Sequence, residues 1–360
     1  MDLLIEPGEL VERVRRDAER SVLRVRNGLK HLAGVGRPVL SQTPKDTVWR
    51  SEKVELWRYR SDRRTIGCPL LFVHSLVSRS YVFDLVPGNS VVEAMLDRGF
   101  DVYLLDWGVP DGLEASNGLE TYTDGYLPEV IAAVADRSAT GDVNVFGYCF
   151  GGLLSLLSLA GNPSLSVRSL AVQATPVDFG PMGPMTAMLA DGRVRVDDLL
   201  DATGNVPPEV MLNSFKVLQP TADVTGYVNL WQHLWNDEFV SAHQVMTQWA
   251  RDHIPFPGAA FRQTAELFVR DNRLASGTVP LNGRDVHLGD ITVPFLNIMG
   301  EKDHIVPPAS SEGLGALVGS DVVDELRFPA GHVGLVVGRS AHQRFLPRMA
   351  DWLERQAEAP

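Results

Sequence analysis

Cysteine is scarce in this chain of 360 residues, which contains only Cys68 and Cys149. Two cysteines cannot form the multiple-disulfide framework that stabilises small secreted domains, so we expect a reducing, cytoplasmic setting. The opening residues, MDLLIEPGEL, also lack the basic start, long apolar centre and cleavage site of a signal peptide. No run approaches the roughly 18 consecutive apolar residues that span a bilayer, and no membrane span is therefore expected.

Positive charge is also in deficit, because 33 Lys and Arg residues face 45 Asp and Glu residues and leave a formal net charge of -12. A protein of this charge repels polyanions, so nucleic acid is not an expected partner. The sequence has no GxxxxGK[ST] loop, no GxGxxG after a strand pattern, and no Cys or His spacing typical of a metal site. We therefore expect neither a metal nor a bound cofactor.

Apolar residues make up 44% of the chain, a globular proportion, and they cluster in short runs from residue 69 onward. Helical patterns separate these runs, and the alternation of strand and helix indicates an α/β fold with a mostly parallel central sheet. Runs that are apolar throughout indicate that helices cover both faces of the sheet. The six strongest runs are PLLFVH, FDVYLLDW, DVNVFGY, RSLAVQAT, VPFLNIMG and DELRFPAG.

Residues 1–40 have a different character, because apolar residues recur there at steps of three and four. This period predicts one amphipathic helix with arginines on its other faces. We expect the apolar stripe to pack on its own domain, and a docking surface for a partner is the alternative. The stripe consists of Val11, Val14, Ala18, Val22, Val25, Leu29 and Leu32.

Residues 177–287 interrupt the alternation of strands and helices. They are rich in Pro, Met and Trp, and they contain no strand pattern as strong as the six core runs. We predict a largely helical cap insertion over the carboxyl edge of the sheet, with its three tryptophans as ordinary packing residues. The α/β core then comprises residues 41–176 and 288–360.

A six-residue box, GYCFGG, joins the strand pattern DVNVF to the apolar helical run LLSLLSLA. A strand that reverses sharply into a helix around one reactive residue is a nucleophile elbow, here with Cys149 in place of the usual serine. Gly147 and Gly151 remove side chains that would collide at such a turn, and the helix N-terminus favours a thiolate. The alternative, that Cys149 is a small buried hydrophobic residue beside a tight turn, is disfavoured by this context.

The residues expected to activate this thiol come later in the chain, in the order nucleophile, acid, histidine. Asp303 lies in the loop EKDHIVP after one strand pattern, and His332 lies in GHVG after the next. Both loops follow the carboxyl end of a strand, where the active sites of such folds lie. Glu301 remains an alternative acid, and His304 is either a support of the acid or an ordinary loop residue.

These residues have defined roles in acyl transfer. His332 would take the proton from Cys149 and later activate an incoming hydroxyl group, while Asp303 would fix the tautomer of the imidazole. Because acyl exchange between a thioester and a thiol is nearly thermoneutral, a cysteine keeps the acyl group activated for transfer to an alcohol. The oxyanion would be held by backbone N–H groups, namely those of Phe150 and of Ser75 or Leu76.

The chain contains the motifs GYCFGG, PLLFVHSLVSRSYVFDLVPGNSVVEAMLDRGFDVYLLDWGVPD, TPVDF, DHIPFPGAAFRQ, EKDHIVPPASS and GHVGLVVG. Together they resemble the polyhydroxyalkanoate synthases, and the chain length is similar to that of the shorter, class III type. The resemblance implies an α/β-hydrolase fold with a cap, and an enzyme that polymerises (R)-3-hydroxyacyl-CoA into a polyester with release of coenzyme A. It also implies that Cys149 is the acylated nucleophile, His332 the base and Asp303 its partner.

The resemblance further implies partners and a location. Enzymes of this short type work with a second, non-catalytic subunit on cytoplasmic polyester granules, and the sequence is also compatible with a homodimer. Two other functions remain open. One is a thioesterase, depolymerase or other acyl hydrolase on the same fold, and the other is a non-catalytic scaffold subunit. The presence of all three catalytic groups in order disfavours the scaffold.

Overall fold

The computed structural model of this chain describes residues 7–32, 39–218, 222–338 and 340–358. These residues contain ten α-helices: α1 (Pro7–Leu32), α2 (Val91–Asp97), α3 (Leu127–Ala135), α4 (Phe150–Gly161), α5 (Pro184–Ala190), α6 (Pro208–Leu218), α7 (Ala222–His233), α8 (Asp237–Arg251), α9 (Gly258–Gln263) and α10 (Leu346–Glu358). They also contain twelve β-strands: β1 (Lys45–Ser51), β2 (Val54–Tyr59), β3 (Leu70–Val73), β4 (Asp84–Val86), β5 (Asn89–Ser90), β6 (Val102–Asp106), β7 (Val143–Tyr148), β8 (Val167–Gln173), β9 (Thr278–Leu281), β10 (Arg284–His287), β11 (Phe295–Gly300) and β12 (Val323–Phe328).

Eight strands form the central sheet, in the order β1-β2-β6-β3-β7-β8-β11-β12. The strands from β6 to β12 in this order pair in parallel, whereas β1 with β2 and β2 with β6 pair antiparallel. The six parallel strands coincide with the six apolar runs of the sequence. The predicted α/β class with a mostly parallel sheet is therefore confirmed.

The central strands are apolar throughout because helices cover them. Every residue of β3, β7 and β11 is buried, and α3 and α4 pack on β7 while α2 packs on β6 and α10 on β8. A strand buried on both faces has no solvent side on which polar residues would be favoured. Polar residues inside this sheet include Asn144 and Ser169, and Ser169 Oγ donates to Asn144 Oδ1 at 2.7 Å.

The strand order reverses at β3, which lies between β6 and β7. The chain leaves β3 for β6 on one side and returns to β7 on the other. At such a switch point the loops that follow the two parallel strands open a crevice at their carboxyl ends. Val73 pairs with Gly147, so the loop after β3 lies beside the end of β7. The loops after β11 and β12 open at the same edge, because these strands are also parallel.

Residues 41–218 and 252–360 form one compact unit around this sheet. Within the segment predicted as a cap, this unit contains α5, α6 and α9. It also contains an antiparallel hairpin of β9 and β10, which the sequence analysis did not predict. These strands are four residues long and mostly exposed on one side, so their pattern is weak. The predicted cap boundaries stay a prediction.

The described parts of residues 1–40 and 219–251 form a second compact unit, built from α1, α7 and α8. Leu230, Leu234 and Val240 form its small apolar cluster. Asn27 of α1 donates from Nδ2 to the Leu234 carbonyl at 2.7 Å, and the Arg20 guanidinium lies 4.4 Å from the Trp235 ring centroid. The polar face of α1 therefore makes these contacts.

Three residues of the predicted apolar stripe of α1 face solvent, whereas the side chains of Val11, Val14 and Leu32 lie outside the described part of the structure. Val22, Val25 and Leu29 are 70, 65 and 63% exposed, so the expectation that the stripe packs on its own domain was wrong for these residues. Trp249 is buried, as expected of a packing residue, whereas Trp231 is 68% exposed. In the part of the chain that is described, no helix has both the length and the apolar character needed to cross a membrane.

Candidate active site

Cys149 stands between the end of β7 and the start of α4, where the backbone turns sharply. Its φ of 55° and ψ of -122° are strained for a residue with a side chain, at a cost of the order of 1–3 kcal/mol. Hydrogen bonds hold the turn: the Cys149 N–H donates to the Gln173 carbonyl at 2.8 Å, and Thr175 Oγ1 donates to the Cys149 carbonyl at 3.3 Å. The thiol is partly exposed, whereas Cys68 is buried.

Glycine is required on both sides of this turn by close backbone contacts. A Cβ at Gly147 would collide with the backbone of Gly152, and a Cβ at Gly151 would collide with the carbonyl groups of Val73 and His74. The collisions predicted from the sequence box are thus present. They show that α4 begins directly against the loop that follows β3.

Asp303 and His332 are buried side by side after β11 and β12. Asp303 Oδ2 lies 2.7 Å from His332 Nδ1. The other carboxylate oxygen, Oδ1, accepts the N–H groups of Ile305 and Val306 at 2.9 and 2.8 Å, which fixes the orientation of the carboxylate. The carboxylate in turn fixes the histidine tautomer with its proton on Nδ1, leaving Nε2 to accept a proton.

The two neighbours of Asp303 that the sequence analysis also considered lie elsewhere. The side chains of Glu301 and His304 are exposed, whereas Asp303 is 4% exposed. Asp303 is therefore the acid in contact with His332. The role of His304 as a support of the acid stays a prediction.

The pKa of His332 depends on Cys149 as well as on Asp303. Burial lowers this pKa, but the electrostatic influence of Cys149 and of Asp303, together with the hydrogen bond to Asp303, outweighs burial and raises the pKa to about 10. That Cys149, His332 and Asp303 act as one catalytic group stays a prediction.

Tyr148 is a further residue of this site, to which the sequence analysis assigned no role. Its ring centroid lies 5.1 Å from that of His332, and its hydroxyl donates to the His332 carbonyl at 3.3 Å. Tyr148 is fully buried between His332 and Phe83, whose ring centroid lies 5.9 Å away. Its position directly before the nucleophile was the one available signal.

The N–H groups predicted to hold an oxyanion lie in two adjacent loops. Ser75 and Phe150 line the same cavity as Cys149, whereas the side chain of Leu76 lines a separate small recess. Among the backbone hydrogen bonds outside the helices and strands of the described residues, none has the N–H of Ser75 or Leu76 as donor. The His74 carbonyl accepts the indole N–H of Trp107 at 2.9 Å, which steadies the loop after β3.

A cavity of about 160 Å³ opens beside Cys149, within the larger unit. Its walls come from the elbow, from α5 and α6, and from the segments that precede α9 and follow Asp303. Most of its side chains are apolar. They are Ser75, Val77, Cys149, Phe150, Pro176, Phe179, Met182, Met185, Thr186, Leu189, Leu199, Val210, Met211, Ser214, Phe215, Leu218, Phe256, Phe261, Thr264, Val269, Ile305 and Val306.

No group of three or more His, Cys, Asp or Glu side chains is arranged to hold a metal ion in residues 7–32, 39–218, 222–338 and 340–358. The site as described therefore consists of protein groups that can perform nucleophilic and acid–base chemistry on an acyl group. That the reaction needs no cofactor stays a prediction.

Comparisons with known proteins identify the family. A family model for the α/β hydrolase fold matches residues 69–338. The poly(3-hydroxyalkanoate) polymerase subunit PhaC of Haloferax mediterranei is 34% identical over 322 residues, covering 89% of this chain and 65% of that protein, slightly less than two thirds of its length. The subunit of the same name from Allochromatium vinosum is 34% identical over 335 residues, covering 91% of this chain and 93% of that protein.

A solved structure shares the fold. The crystal structure of a hydrolase from Pseudomonas aeruginosa PA01 matches with a TM-score of 0.52 and 18% identity, covering 88% of this chain and 98% of that one. These comparisons confirm both the resemblance predicted from the sequence motifs and the predicted α/β-hydrolase fold. The chain therefore belongs to the poly(3-hydroxyalkanoate) polymerase family.

Proposed function

We propose that this protein takes (R)-3-hydroxyacyl groups from coenzyme A thioesters onto Cys149 and transfers them to a growing polyester chain. The observation that carries this proposal is the hydrogen bond between Asp303 and His332, together with the influence of the elbow residue Cys149 on the pKa of the same imidazole. The family supports the polymer product, since the relatives are named poly(3-hydroxyalkanoate) polymerases.

In the loading step, the Cys149 thiolate attacks the carbonyl carbon of the thioester. The carbonyl oxygen becomes an oxyanion, which the N–H of Phe150 and that of Ser75 or Leu76 would hold. As the oxyanion reverts to a carbonyl, the bond to the sulfur of coenzyme A breaks. His332 then supplies its proton to the leaving thiolate, so the products are acyl-Cys149 and coenzyme A.

In the transfer step, His332 changes from acid to base. Acylation removes the negative charge of Cys149, which is the largest of the influences that raise the pKa of His332. The imidazole can then remove the proton from a 3-hydroxyl group, whose oxygen attacks the acyl-Cys149 carbonyl. The new ester forms, the bond to Sγ breaks, and the thiolate and the imidazolium are restored.

The choice of sulfur over oxygen fits transfer rather than hydrolysis. A thioester on Cys149 keeps the acyl group nearly as reactive as it was on coenzyme A, so passage to an alcohol remains favourable. Water competes with that alcohol, and the apolar side chains around Cys149 reduce its access. We infer that acyl transfer dominates over release of free acid.

The test is incubation of the purified protein with 3-hydroxybutyryl-CoA and with 3-hydroxyoctanoyl-CoA. Thiol release is followed with a chromogenic disulfide, and product size by mass spectrometry. We expect oligomers or polymer, and we expect Cys149→Ser to abolish thiol release. Free monomeric acid as the sole product would contradict the proposal and support the hydrolase alternative.

The partners of the enzyme belong to the same proposal. A second, non-catalytic subunit and attachment to polyester granules follow from the family resemblance alone, and a homodimer is compatible with the sequence. Light scattering of the purified chain, with and without substrate, measures its mass directly. A monomer that polymerises substrate unaided at full rate would show that neither a second subunit nor a homodimer is needed.

A further inference from the structure

The cavity beside Cys149 has walls of a restricted chemical kind. Its side chains are mostly apolar, and α5 and α6 supply several of them, including Met185, Met211 and Phe215. Phe150 closes the side next to the nucleophile, and its ring packs edge-on against Phe256 with centroids 5.2 Å apart. A ligand group in this space would therefore contact carbon and thioether sulfur on most sides.

Apart from Ser75 in the oxyanion loop, the few hydroxyl groups in these walls already donate hydrogen bonds. Thr186, Ser214 and Thr264 each donate to the backbone carbonyl four residues earlier, at 3.3, 2.9 and 2.8 Å. A hydroxyl has one proton, so these side chains have none left to donate to a ligand. Beyond the oxyanion loops, the walls thus offer an incoming carbonyl group no side-chain hydroxyl donor.

This chemistry distinguishes between the parts of the substrate. The pantetheine arm of coenzyme A contains amides, and a polyester chain contains repeated ester carbonyls. Either would lose hydrogen bonds to water in this cavity without replacement. An alkyl group loses no hydrogen bond and gains free energy from burial. The walls therefore favour the alkyl substituent of the acyl group.

The size of the cavity sets the length of that substituent. An engineered cavity of about 150 Å³ in an unrelated protein takes up benzene, a molecule of six carbon atoms. The cavity here is of similar volume, about 160 Å³. The methyl substituent of a 3-hydroxybutyryl group would leave most of its walls without contacts. Met182, Met185 and Met211 have flexible side chains that can adjust to substituents of several lengths.

We propose that this cavity binds the alkyl substituent of a medium-chain 3-hydroxyacyl group, as in 3-hydroxyhexanoyl and 3-hydroxyoctanoyl thioesters. The proposal rests on the function proposed above, since it requires the acyl group to be carried by Cys149. With the carbonyl oxygen at the N–H of Phe150 and the 3-hydroxyl directed to His332, the substituent on C3 is the apolar part that remains to enter the cavity.

A kinetic experiment measures this preference. We expect kcat/KM for 3-hydroxyoctanoyl-CoA to exceed that for 3-hydroxybutyryl-CoA at least 10-fold. Val210→Phe adds a ring to the cavity wall and should reduce this ratio at least 10-fold. Val217→Phe is the matched control on α6, because Val217 is 50% exposed and does not line the cavity. It should leave the ratio unchanged within two-fold.

Two kinetic results would overturn the proposal. One is a wild-type preference for the shorter substrate, or no preference. The other is an equal loss for both substrates in Val210→Phe, which would place the pantetheine arm or the polyester chain in the cavity instead. Either result leaves the acyl transfer itself intact.

A second experiment needs no turnover. Alkyl methanethiosulfonates react when a thiolate attacks the sulfur atom that carries the alkyl group. A disulfide forms, and methanesulfinate is released. We expect the hexyl reagent to modify Cys149 at least 10-fold faster than the methyl reagent, relative to their rates with glutathione, with Cys149→Ala as the background control. If the ratio of the hexyl rate to the methyl rate is the same for Cys149 as for glutathione, the proposal is overturned. If the hexyl reagent reacts at least 10-fold faster but 3-hydroxyacyl-CoA does not acylate Cys149, the alkyl site is supported and the proposed function is refuted.

Discussion

The proposed acyl transfer depends on His332, because the proton affinity of its imidazole changes when Cys149 is acylated. Buried imidazole is normally easier to deprotonate, since low polarity disfavours the charged ring. Here the charges of Cys149 and Asp303 reverse that effect and raise the pKa of the ring. The same ring can thus hold a proton while Cys149 is free and release it when Cys149 is acylated.

This coupling predicts the titration of His332. In the free enzyme the ring stays protonated at neutral pH and loses its proton only as the pH rises through about 10. Cys149→Ala and Asp303→Asn each remove a group that raises the pKa of His332. Each variant should therefore lower that pKa, so that the ring loses its proton at lower pH. NMR of the imidazole in each variant measures the change. An unaltered or higher midpoint in Cys149→Ala would contradict the coupling.

Tyr148 is predicted to position the imidazole. Tyr148→Phe removes the hydrogen bond to the His332 carbonyl, a change of about 0.5–1.5 kcal/mol. We expect kcat/KM to fall about 2–10-fold and the pH profile to shift, while KM stays unchanged. The control is Tyr103→Phe, which removes a hydroxyl that bonds Asp101 at 3.2 Å. If both variants give the same pH profile as wild type, the role of Tyr148 is merely structural.

Residue patterns predicted some of this site and not the rest. Cys149 stands out because the elbow is a local motif with required glycines. Asp303 could be chosen over Glu301 only from the three-dimensional structure. Both lie in one loop, but Asp303 is buried and Glu301 is exposed. The role of Tyr148 depends on a contact with His332, which adjacency in sequence does not reveal.

Among the elements, the turn from β7 into α4 is the most constrained. Gly151→Ala would press a Cβ against the carbonyl groups of Val73 and His74. We expect a loss of about 1–3 kcal/mol in the free energy of unfolding, together with loss of activity, as measured by urea denaturation and thiol release. Gly125→Ala is the control, because a Cβ there meets nothing within 4 Å. Equal stability of the two variants would show that the turn is not tightly packed.

Helix α1 shows what periodicity can and cannot predict. The spacing of its apolar residues correctly indicates one amphipathic face, but it does not say what covers that face. Val25 is 65% exposed, whereas Asn27 is 2% exposed and bonded to Leu234. We therefore expect Val25→Ser to change the free energy of unfolding by less than about 0.5 kcal/mol and Asn27→Ala to cost about 1 kcal/mol. If urea denaturation shows a larger loss of stability for Val25→Ser than for Asn27→Ala, the apolar stripe is covered.

Most of the predicted strands are buried and rich in apolar residues, as β3, β7 and β11 are. Burial is not a complete explanation, because β12 was predicted although it is mostly exposed, and β2 was missed although half of its residues are buried. β1 was missed because none of its residues is buried and it carries Lys45, Asp46 and Arg50. Charged residues suit an exposed edge strand, but they remove the apolar signal on which a sequence-based prediction depends.

At the scale of the whole molecule, topology brings the functional residues together. The strand order places the loops after β3 and β7 side by side, and the loops after β11 and β12 at the same edge. The order of strands and motifs along the chain was enough to predict this convergence. The cavity was not predictable, since its walls come from α5, α6 and several other segments that are distant in sequence and whose packing has no local signature.

The central claim is that Cys149 carries the growing acyl group, and mass spectrometry of the digested protein tests it most directly. The protein is mixed with 3-hydroxyacyl-CoA, quenched in acid and digested. We predict a mass increase of one or more hydroxyacyl units on the peptide that contains Cys149, and none in Cys149→Ala. An adduct on any other residue, or turnover of substrate without an adduct on Cys149, would contradict the account.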